Sequence, residues 1–526
     1  MRLRSGTLAC EPEPGAADRP GMIPDSAPSP SPLRWRRPSF WMLAMLAVVY
    51  VTLVHAMTVA MQLRGPWYDE FYTLYVARPG VPLPYAFHRW LADNHPPLFY
   101  ALARATTWLG TTVEERRAVN LFLFVLAGIQ LAWWLIPRGL RRIGWIYAVA
   151  LASAWPAIDR AAELRSNYLA FAAAAVAVAA LIAVDRGYRT HRKAEWVMLT
   201  LALLVAFNVH LAASMIVGGL VAAMILRRMI ARQWPSTARL LAAASIAAMP
   251  LLIQLVMSFG QLDANTRHFW IEGGLTRARW AIQGEIESGL SANLPITILA
   301  IIGFGWLAHR SWRERRLAPQ ADLAVTLGVG LAIACAVMVA VHLWRPFIMS
   351  RYLVALHPPI AMMLALGAAA LLDRVRPLFV TILSVLMSLA ALAAIHANMV
   401  RTMAQPSWYG TGRAIATIRR NCPTTRIHVD ASGNRLVMAT PPSENRDVFP
   451  FAYRNVADHF GFPITDPHDR TMPRDCPTLF WTEHVAGQPD TARELAMRLR
   501  AAGFPIGRAR LQRIGYGRLL VTWPTR

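Results

Sequence analysis

FWMLAMLAVVYVTLVHAMTVA, residues 40–60, is an apolar run without a single Asp, Glu, Lys or Arg. Its length matches the roughly 20 residues that an α-helix needs to cross the hydrocarbon core of a bilayer. A second run, LFVTILSVLMSLAALAAIH, covers residues 378–396, and similar blocks recur between the two. A soluble chain would instead scatter its apolar residues with helical or strand periodicity. The sequence therefore predicts an all-α polytopic membrane protein.

The composition excludes one class of partner. The 526 residues are 55% hydrophobic and carry a formal net charge of +24. The basic residues lie at the ends of the apolar blocks rather than along one face, which argues against nucleic acid and for contact with membrane lipids. Residues 1–38 are rich in Pro, Ser and charge, and we predict a disordered cytoplasmic tail there.

The arginines also predict the topology, because cytoplasmic loops carry the Lys/Arg excess. Short basic connections alternate with connections that are longer, mixed in charge or nearly neutral. The basic ones are 34–37, 138–142, 186–193, 227–239, 310–316 and 374–376, and the others are 62–117, 159–167, 208–210, 258–291, 343–351 and the chain after 397. This alternation predicts about eleven crossings in the cell (inner or plasma) membrane, with the amino terminus inside and the carboxyl terminus outside.

The chain is thus divided into the tail 1–38, a transmembrane domain 39–396 and an extracytoplasmic domain 397–526. Within the outer loop 62–117, the apolar stretch 96–109 is too short to span and is predicted to lie along the membrane surface. In the last domain, 426–430, 478–484 and 514–523 read as strands and 491–502 as an amphipathic helix, so a small α/β domain is expected. Cys422 and Cys476 lie just before two of these strands, and the sequence does not decide between a disulfide and free thiols.

The first outer loop contains the candidate chemistry, the adjacent acids Asp69 and Glu70. Two adjacent acids beside a membrane can be purely structural, because they can lie in a solvated loop end and cap the helix that follows. Here four aromatic residues would partly desolvate the pair: Trp67, Tyr68, Phe71 and Tyr72. Desolvation raises the pKa of a carboxyl group, so this pair is a candidate for general-base chemistry.

The loop resembles the first extracytoplasmic loop of the membrane glycosyltransferases with the GT-C architecture, which include protein O-mannosyltransferases and the aminoarabinose transferase acting on lipid A. In that group an acidic stretch is followed by a His-Pro-Pro-Leu surface helix, as Asp69-Glu70 is followed here by His95-Pro96-Pro97-Leu98. Further matches follow in order: Glu163, Arg165 and Tyr168 within 159–168 (DRAAELRSNY), His210, and Arg351-Tyr352-Leu353. This sequence departs from the group at Leu164, where alanine is usual, and in the spacing of Tyr168. The resemblance covers about 40–375.

The resemblance implies a sugar donor on polyprenyl phosphate and an inverting displacement onto an envelope acceptor, either a glycolipid, a polysaccharide or a protein hydroxyl. Asp69 is predicted to take the acceptor's proton, while Glu70 orients the acceptor or holds a nearby arginine. Arg165 and Arg351, at outer helix ends, are predicted to bind the donor phosphate, whose negative charge grows as it leaves. The alternative for these two is an interfacial arginine that reaches lipid phosphates.

Four further residues are predicted to support the site. Glu163 is expected to hold the guanidinium of Arg165, His95 and His210 to line the cavity by packing or hydrogen bonding, and Tyr168 to support the site as part of the matched motif. No His/Cys/Asp cluster has zinc spacing, so no metal ligand is assigned. Some relatives use a divalent cation, and the sequence leaves metal dependence open.

Two other functions would fit parts of this sequence. A transporter or flippase for a lipid-linked or polar solute would explain the helices, but internal repeats and mid-membrane charges are not evident. A sensor or non-catalytic subunit, with the last domain as its ligand-binding part, would need fewer helices as an anchor. The sequence therefore favours the transferase.

Overall fold

The computed structural model describes residues 40–91, 93, 95–136, 140–186, 193–267, 271, 273–429, 448–483, 491–515 and 517–525. The predicted tail 1–38 lies outside these residues. The described helices of the first four hundred residues are α1 (Phe40–Leu63), α2 (Tyr68–Val76), α3 (Leu83–Leu91), α4 (Leu98–Ala105), α5 (Val113–Arg116), α6 (Val119–Leu135), α7 (Arg141–Ser153), α8 (Pro156–Asp159), α9 (Ser166–Arg186), α10 (Lys193–Val209), α11 (Leu211–Ile230), α12 (Trp234–Arg267), α13 (Leu275–Ser291), α14 (Leu294–Glu314), α15 (Pro319–Trp344), α16 (His357–Leu372) and α17 (Pro377–Met403).

Within the described part of the chain, nine helical segments are long and apolar enough to cross a membrane. They are α1, the α5–α6 run, α9, α11, α12, α14, α15, the segment ending in α16, and α17. The chain is therefore a multi-pass membrane protein, as predicted. Helices α7 and α10, of 13 and 17 residues, lie where the remaining two crossings are expected. The count of about eleven and the orientation of the termini stay predictions.

Small residues allow close packing between helices of the bundle. Where α14 meets α16, a Cβ atom on Gly303 would overlap the carbonyl oxygen of Gly367. Gly219 of α11 and Gly330 of α15 approach in the same way. Glycine pairs of this kind bring helix backbones together in membranes, where no hydrophobic driving force between helices is available.

The first loop, 62–117, folds into short helices. α2 begins just after α1, and α4 with a single 3₁₀ turn at Thr107–Leu109 covers the predicted surface stretch 96–109. At 8 residues α4 is too short to span a bilayer, which confirms the prediction that this apolar stretch does not cross.

In its described residues, the carboxyl-terminal domain combines three helices with a four-stranded sheet. Its elements are α18 (Trp408–Asn421), β1 (Arg426–Val429), α19 (Phe449–Phe460), β2 (Thr478–Thr482), α20 (Ala492–Ala501), β3 (Ile506–Ile514) and β4 (Gly517–Pro524). The strand order is β1-β2-β4-β3, with β1 parallel to β2 and the other pairs antiparallel. The predicted strands correspond to β1, β2 and β4. Cys422 and Cys476 form a disulfide that ties the end of α18 to the start of β2.

Aromatic side chains join this domain to α2. The backbone N–H of Trp408 donates to the carbonyl oxygen of Pro66 at 3.0 Å. The ring of Phe71 lies against Trp408, and Tyr68 stacks on Phe449 with 4.6 Å between ring centroids. The carboxyl-terminal domain therefore packs against the helix that carries the candidate acids and holds it in place.

Glu483 follows β2 directly and is buried between α18 and β4. Burial raises the pKa of its carboxyl to about 8, although hydrogen bonds from Thr411 and Trp481 oppose the shift. A carboxyl whose pKa is higher in the folded than in the unfolded chain binds more protons when folded. The stabilising contribution of Glu483 to the free energy of unfolding is therefore present at low pH and is lost as the pH rises from about 4.5 to about 8.

We expect this loss to appear in the thermal midpoint of the detergent-solubilised protein, followed by tryptophan fluorescence across that pH interval. In Glu483→Gln the side chain cannot ionise, so the pH dependence should be flatter. Parallel pH curves for the two proteins would contradict the assignment to Glu483.

Candidate active site

Asp69 lies in the first turn of α2 and is the accessible member of the acid pair. Its side chain is 23% exposed, and its Oδ2 lies 3.3 Å from Nη1 of Arg351. The Arg351 guanidinium also stacks over the Trp67 ring, 4.6 Å from its centroid. The sequence places Arg351 more than 250 residues from Asp69, and the structure brings the two predicted residues together.

Glu70 has no exposed surface. Its two carboxylate oxygens each accept a hydrogen bond from the Arg117 guanidinium at 2.8 Å, a paired geometry that makes strong, oriented bonds. The backbone N–H groups of Leu164 and Trp67 donate to the same carboxylate. Of the two roles predicted for Glu70, holding a nearby arginine matches this geometry, whereas orienting the acceptor does not.

Arg165 is buried close to Asp69. Its Nη1 donates to the carbonyl oxygen of Asp69 at 3.4 Å and to the hydroxyls of Thr73 and Tyr100 at 3.3 Å. Burial alone would lower the pKa of this guanidinium, but Tyr100, Asp69 and Asp93 raise it above the usual value. Arg165 is therefore a fixed positive charge next to Asp69.

The expectation that Glu163 holds Arg165 is wrong. Glu163 is buried and binds Arg64 at 3.0 Å and Arg160 at 2.6 Å, with Asn167 on its second oxygen. Burial would raise the pKa of Glu163, but these two arginines hold it at about 2. Although Glu163 and Arg165 are close in sequence, their side chains lie in different polar clusters.

The two predicted histidines lie beside the same site. The rings of His95 and His210 meet edge to face with centroids 5.1 Å apart, and both lie against Tyr352. The Nδ1 atom of His95 is 3.0 Å from Oδ1 of Asp93. Tyr168, by contrast, is buried in α9 against Phe171 and makes no described contact with these residues.

A cleft of about 920 Å³ opens next to Arg351. Five arginines contribute to its wall: Arg64, Arg160, Arg277, Arg351 and Arg401. Glu163 is the one acidic residue among the described lining residues, and Trp67 and Trp280 add aromatic surface. This excess of guanidinium groups suits an anionic ligand, because arginine binds phosphate with paired, charge-assisted hydrogen bonds.

Four of these five arginines were not singled out from the sequence. Arg64, Arg160, Arg277 and Arg401 come from separate segments that are far apart in the chain, and each resembles an ordinary arginine at a helix end. Only the packing of the helices brings them together. Over the described ranges, no group of three or more His, Cys, Asp or Glu side chains lies close enough to hold a metal ion.

The sequence shows no match to known protein families or to curated proteins. The fold, however, is similar to solved structures. The apo crystal structure of ArnT from Cupriavidus metallidurans aligns over 92% of this chain and 97% of that one, with a TM-score of 0.52 and 13% identity. The same enzyme bound to undecaprenyl phosphate aligns over 92% and 98%, with a TM-score of 0.50 and 12% identity.

These similarities define the class of fold. The chain has the architecture of the GT-C membrane glycosyltransferases, and the predicted GT-C resemblance is confirmed at that level. The likeness extends through the carboxyl-terminal domain, since nearly the whole of both chains is covered.

Proposed function

We propose that this protein is a membrane glycosyltransferase that moves a sugar from a polyprenyl-phosphate donor to an envelope acceptor on the extracytoplasmic face. The observation that carries the proposal is the position of Asp69. Its accessible carboxylate pairs with Arg351, which also lines the arginine-rich cleft, and the buried guanidinium of Arg165 binds the backbone carbonyl of the same residue.

The chemistry follows from that arrangement. The acceptor hydroxyl attacks the anomeric carbon of the sugar, and the bond from that carbon to the phosphate oxygen breaks. The polyprenyl phosphate leaves with the bonding electron pair, so negative charge grows on its oxygen. Arg351, together with other arginines of the cleft, would stabilise this charge in place. Asp69 would take the proton from the attacking hydroxyl. A single displacement of this kind inverts the configuration at the anomeric carbon.

The acid pair then has a division of labour. Asp69 keeps a carboxylate that a substrate can reach, whereas both oxygens of Glu70 are bound by Arg117 and by backbone N–H groups. We assign Glu70 a positioning role, because it fixes the first turn of α2 against the chain at Leu164. Glu163 similarly holds Arg64 and Arg160 at the cleft wall.

The structure of ArnT bound to undecaprenyl phosphate supports the choice of donor lipid, since that protein shares the fold of this chain. The transporter alternative gains no support from the described spanning helices. Their acidic residues lie near helix ends, as Asp185 and Asp322 do, and both of these pair with Arg227. Transport pathways instead carry charges near mid-membrane.

Arg351→Lys tests the phosphate role. Lysine keeps the charge but loses the planar, paired donors, so we expect kcat/KM for sugar transfer to fall about ten- to a hundredfold. Transfer would be measured with polyprenyl-phosphate sugars as donors. Membranes from a deletion strain, which lacks this protein, would supply the acceptor. Arg510→Lys, on an exposed position of β3, is the matched control and should transfer like wild type.

Equal rates for Arg351→Lys and wild type would contradict the phosphate assignment. Mass spectrometry of envelope glycans from the deletion strain would identify the acceptor, since the missing sugar would be restored by wild type but not by an inactive variant.

A further inference from the structure

Asp93, His95, His210 and Tyr352 form a compact group close to Asp69, which we call the histidine cluster. The three rings lie within 5.0–5.8 Å of one another, measured between centroids. The hydroxyl of Tyr352 is 3.4 Å from Nη2 of Arg351, which itself pairs with Asp69. A group bound to this cluster would therefore be held next to the proposed catalytic carboxylate.

The hydrogen bonds of His95 define its protonation. Oδ1 of Asp93 lies 2.9 Å from the backbone N of His95 and 3.0 Å from its Nδ1. An ionised carboxylate only accepts hydrogen bonds, so Nδ1 carries a proton. Burial lowers the pKa of His95, and the positive charge of Arg165 lowers it further. The ring is then neutral, and its Nε2 presents a lone pair as a hydrogen-bond acceptor.

His210 has the opposite arrangement. It is the residue before α11, and its Nδ1 accepts a hydrogen bond from the backbone N–H of Ala212 at 3.2 Å. Nδ1 therefore bears the lone pair, and the proton is on Nε2. This Nε2 is buried and has no hydrogen-bond partner within the part of the chain that the structure describes. A buried donor left without a partner is costly, so it points to a ligand group.

We propose that His95 and His210 bind one hydroxyl group of the transferred sugar. A hydroxyl both donates and accepts, so it can donate to Nε2 of His95 and accept from Nε2–H of His210. An ammonium group cannot accept from His210, and a phosphate or carboxylate cannot donate to His95. The two histidines would thus select a hydroxyl over an ammonium or an acid at that position of the sugar. This inference rests on the proposed function.

Binding measurements on the full-length protein in detergent test it. The probes are undecaprenyl phosphate alone, the same lipid carrying mannose, glucose, galactose or arabinose, and analogues of the best-bound sugar with one hydroxyl replaced by an amine. The variant is His210→Asn, because asparagine keeps a side-chain oxygen for the helix start but removes the Nε2–H donor.

For wild type we expect that an amine in place of the hydroxyl at one particular position of the sugar weakens binding about ten- to a hundredfold. The His210→Asn variant should bind the unmodified sugar lipid more weakly than wild type does, by a similar factor. Changing the same hydroxyl to an amine should then lower the affinity of this variant little further. Undecaprenyl phosphate alone should bind both proteins equally, which excludes a general structural effect.

If every hydroxyl-to-amine change in the sugar weakens binding to wild type and to His210→Asn by the same factor, the proposal that the two histidines bind a sugar hydroxyl is overturned. Transfer by wild type that is lost in Asp69→Asn would then still leave the proposed function standing. If wild type binds none of these lipids and transfers no sugar, the proposed function itself fails, and the assignment to a sugar hydroxyl fails with it.

Discussion

Replacing Asp69 by asparagine should lower the rate of sugar transfer by about 100- to 10,000-fold, the usual contribution of a general base. Asparagine has nearly the same shape but cannot take a proton from the acceptor hydroxyl. It also keeps an oxygen opposite Arg351, so the local geometry should persist. Initial rates with a polyprenyl-phosphate sugar as donor would measure the effect.

The matched control is Asp458→Asn, which changes an exposed aspartate of α19 and should leave the rate unchanged. The elution profile and thermal midpoint of Asp69→Asn should equal those of wild type, which separates lost chemistry from lost folding. Transfer by Asp69→Asn within a few-fold of wild type would remove Asp69 from the mechanism.

Replacing Arg117 by methionine should destabilise the protein severely, by about 3–5 kcal/mol, because Glu70 would be left as a buried charge without its partner. Arg117 also donates to the carbonyl oxygens of Met61 and Arg64, so the end of α1 would lose two hydrogen bonds. We expect a large fall in the thermal midpoint and in the yield of monodisperse protein.

The double variant Arg117→Met with Glu70→Gln tests the cause. It removes the charge but keeps an acceptor for the backbone N–H of Leu164, so it should recover part of the lost stability. If Arg117→Met alone is as stable as wild type, or if the double variant is less stable than the single one, the buried ion pair does not have the role given to it here.

The spanning helices could be predicted from the sequence because a bilayer requires long apolar runs with all backbone groups bonded within the segment. The blocks at 40–60 and 378–396 correspond to α1 and α17. Strand β3 was missed, since its sequence IGRARLQRI alternates small, apolar and charged residues along an edge of the sheet that is largely exposed. Helices α18 and α19 were missed as well, although both are amphipathic.

The site could be predicted only in part. Motif order selected Asp69, His95, Arg165, His210 and Arg351, which the structure places in one region. The partner of each charge was not readable, because it depends on how distant helices pack. Arg117 lies 47 residues from Glu70, and nothing in its local sequence marks it as a partner. For the same reason the sequence could not show that Glu163 faces Arg64 and Arg160 rather than Arg165.

The most direct test of the proposed transferase counts two products of one reaction. Purified full-length protein in proteoliposomes would receive a polyprenyl-phosphate donor labelled in both the sugar and the phosphate, with membranes of a deletion strain as acceptor. For wild type we predict equal amounts of transferred sugar and free polyprenyl phosphate, and for Asp69→Asn about a hundredth or less of either product in the same time. Donor that crosses the bilayer with sugar and phosphate still joined, and no free polyprenyl phosphate, would contradict the proposal and indicate a transporter.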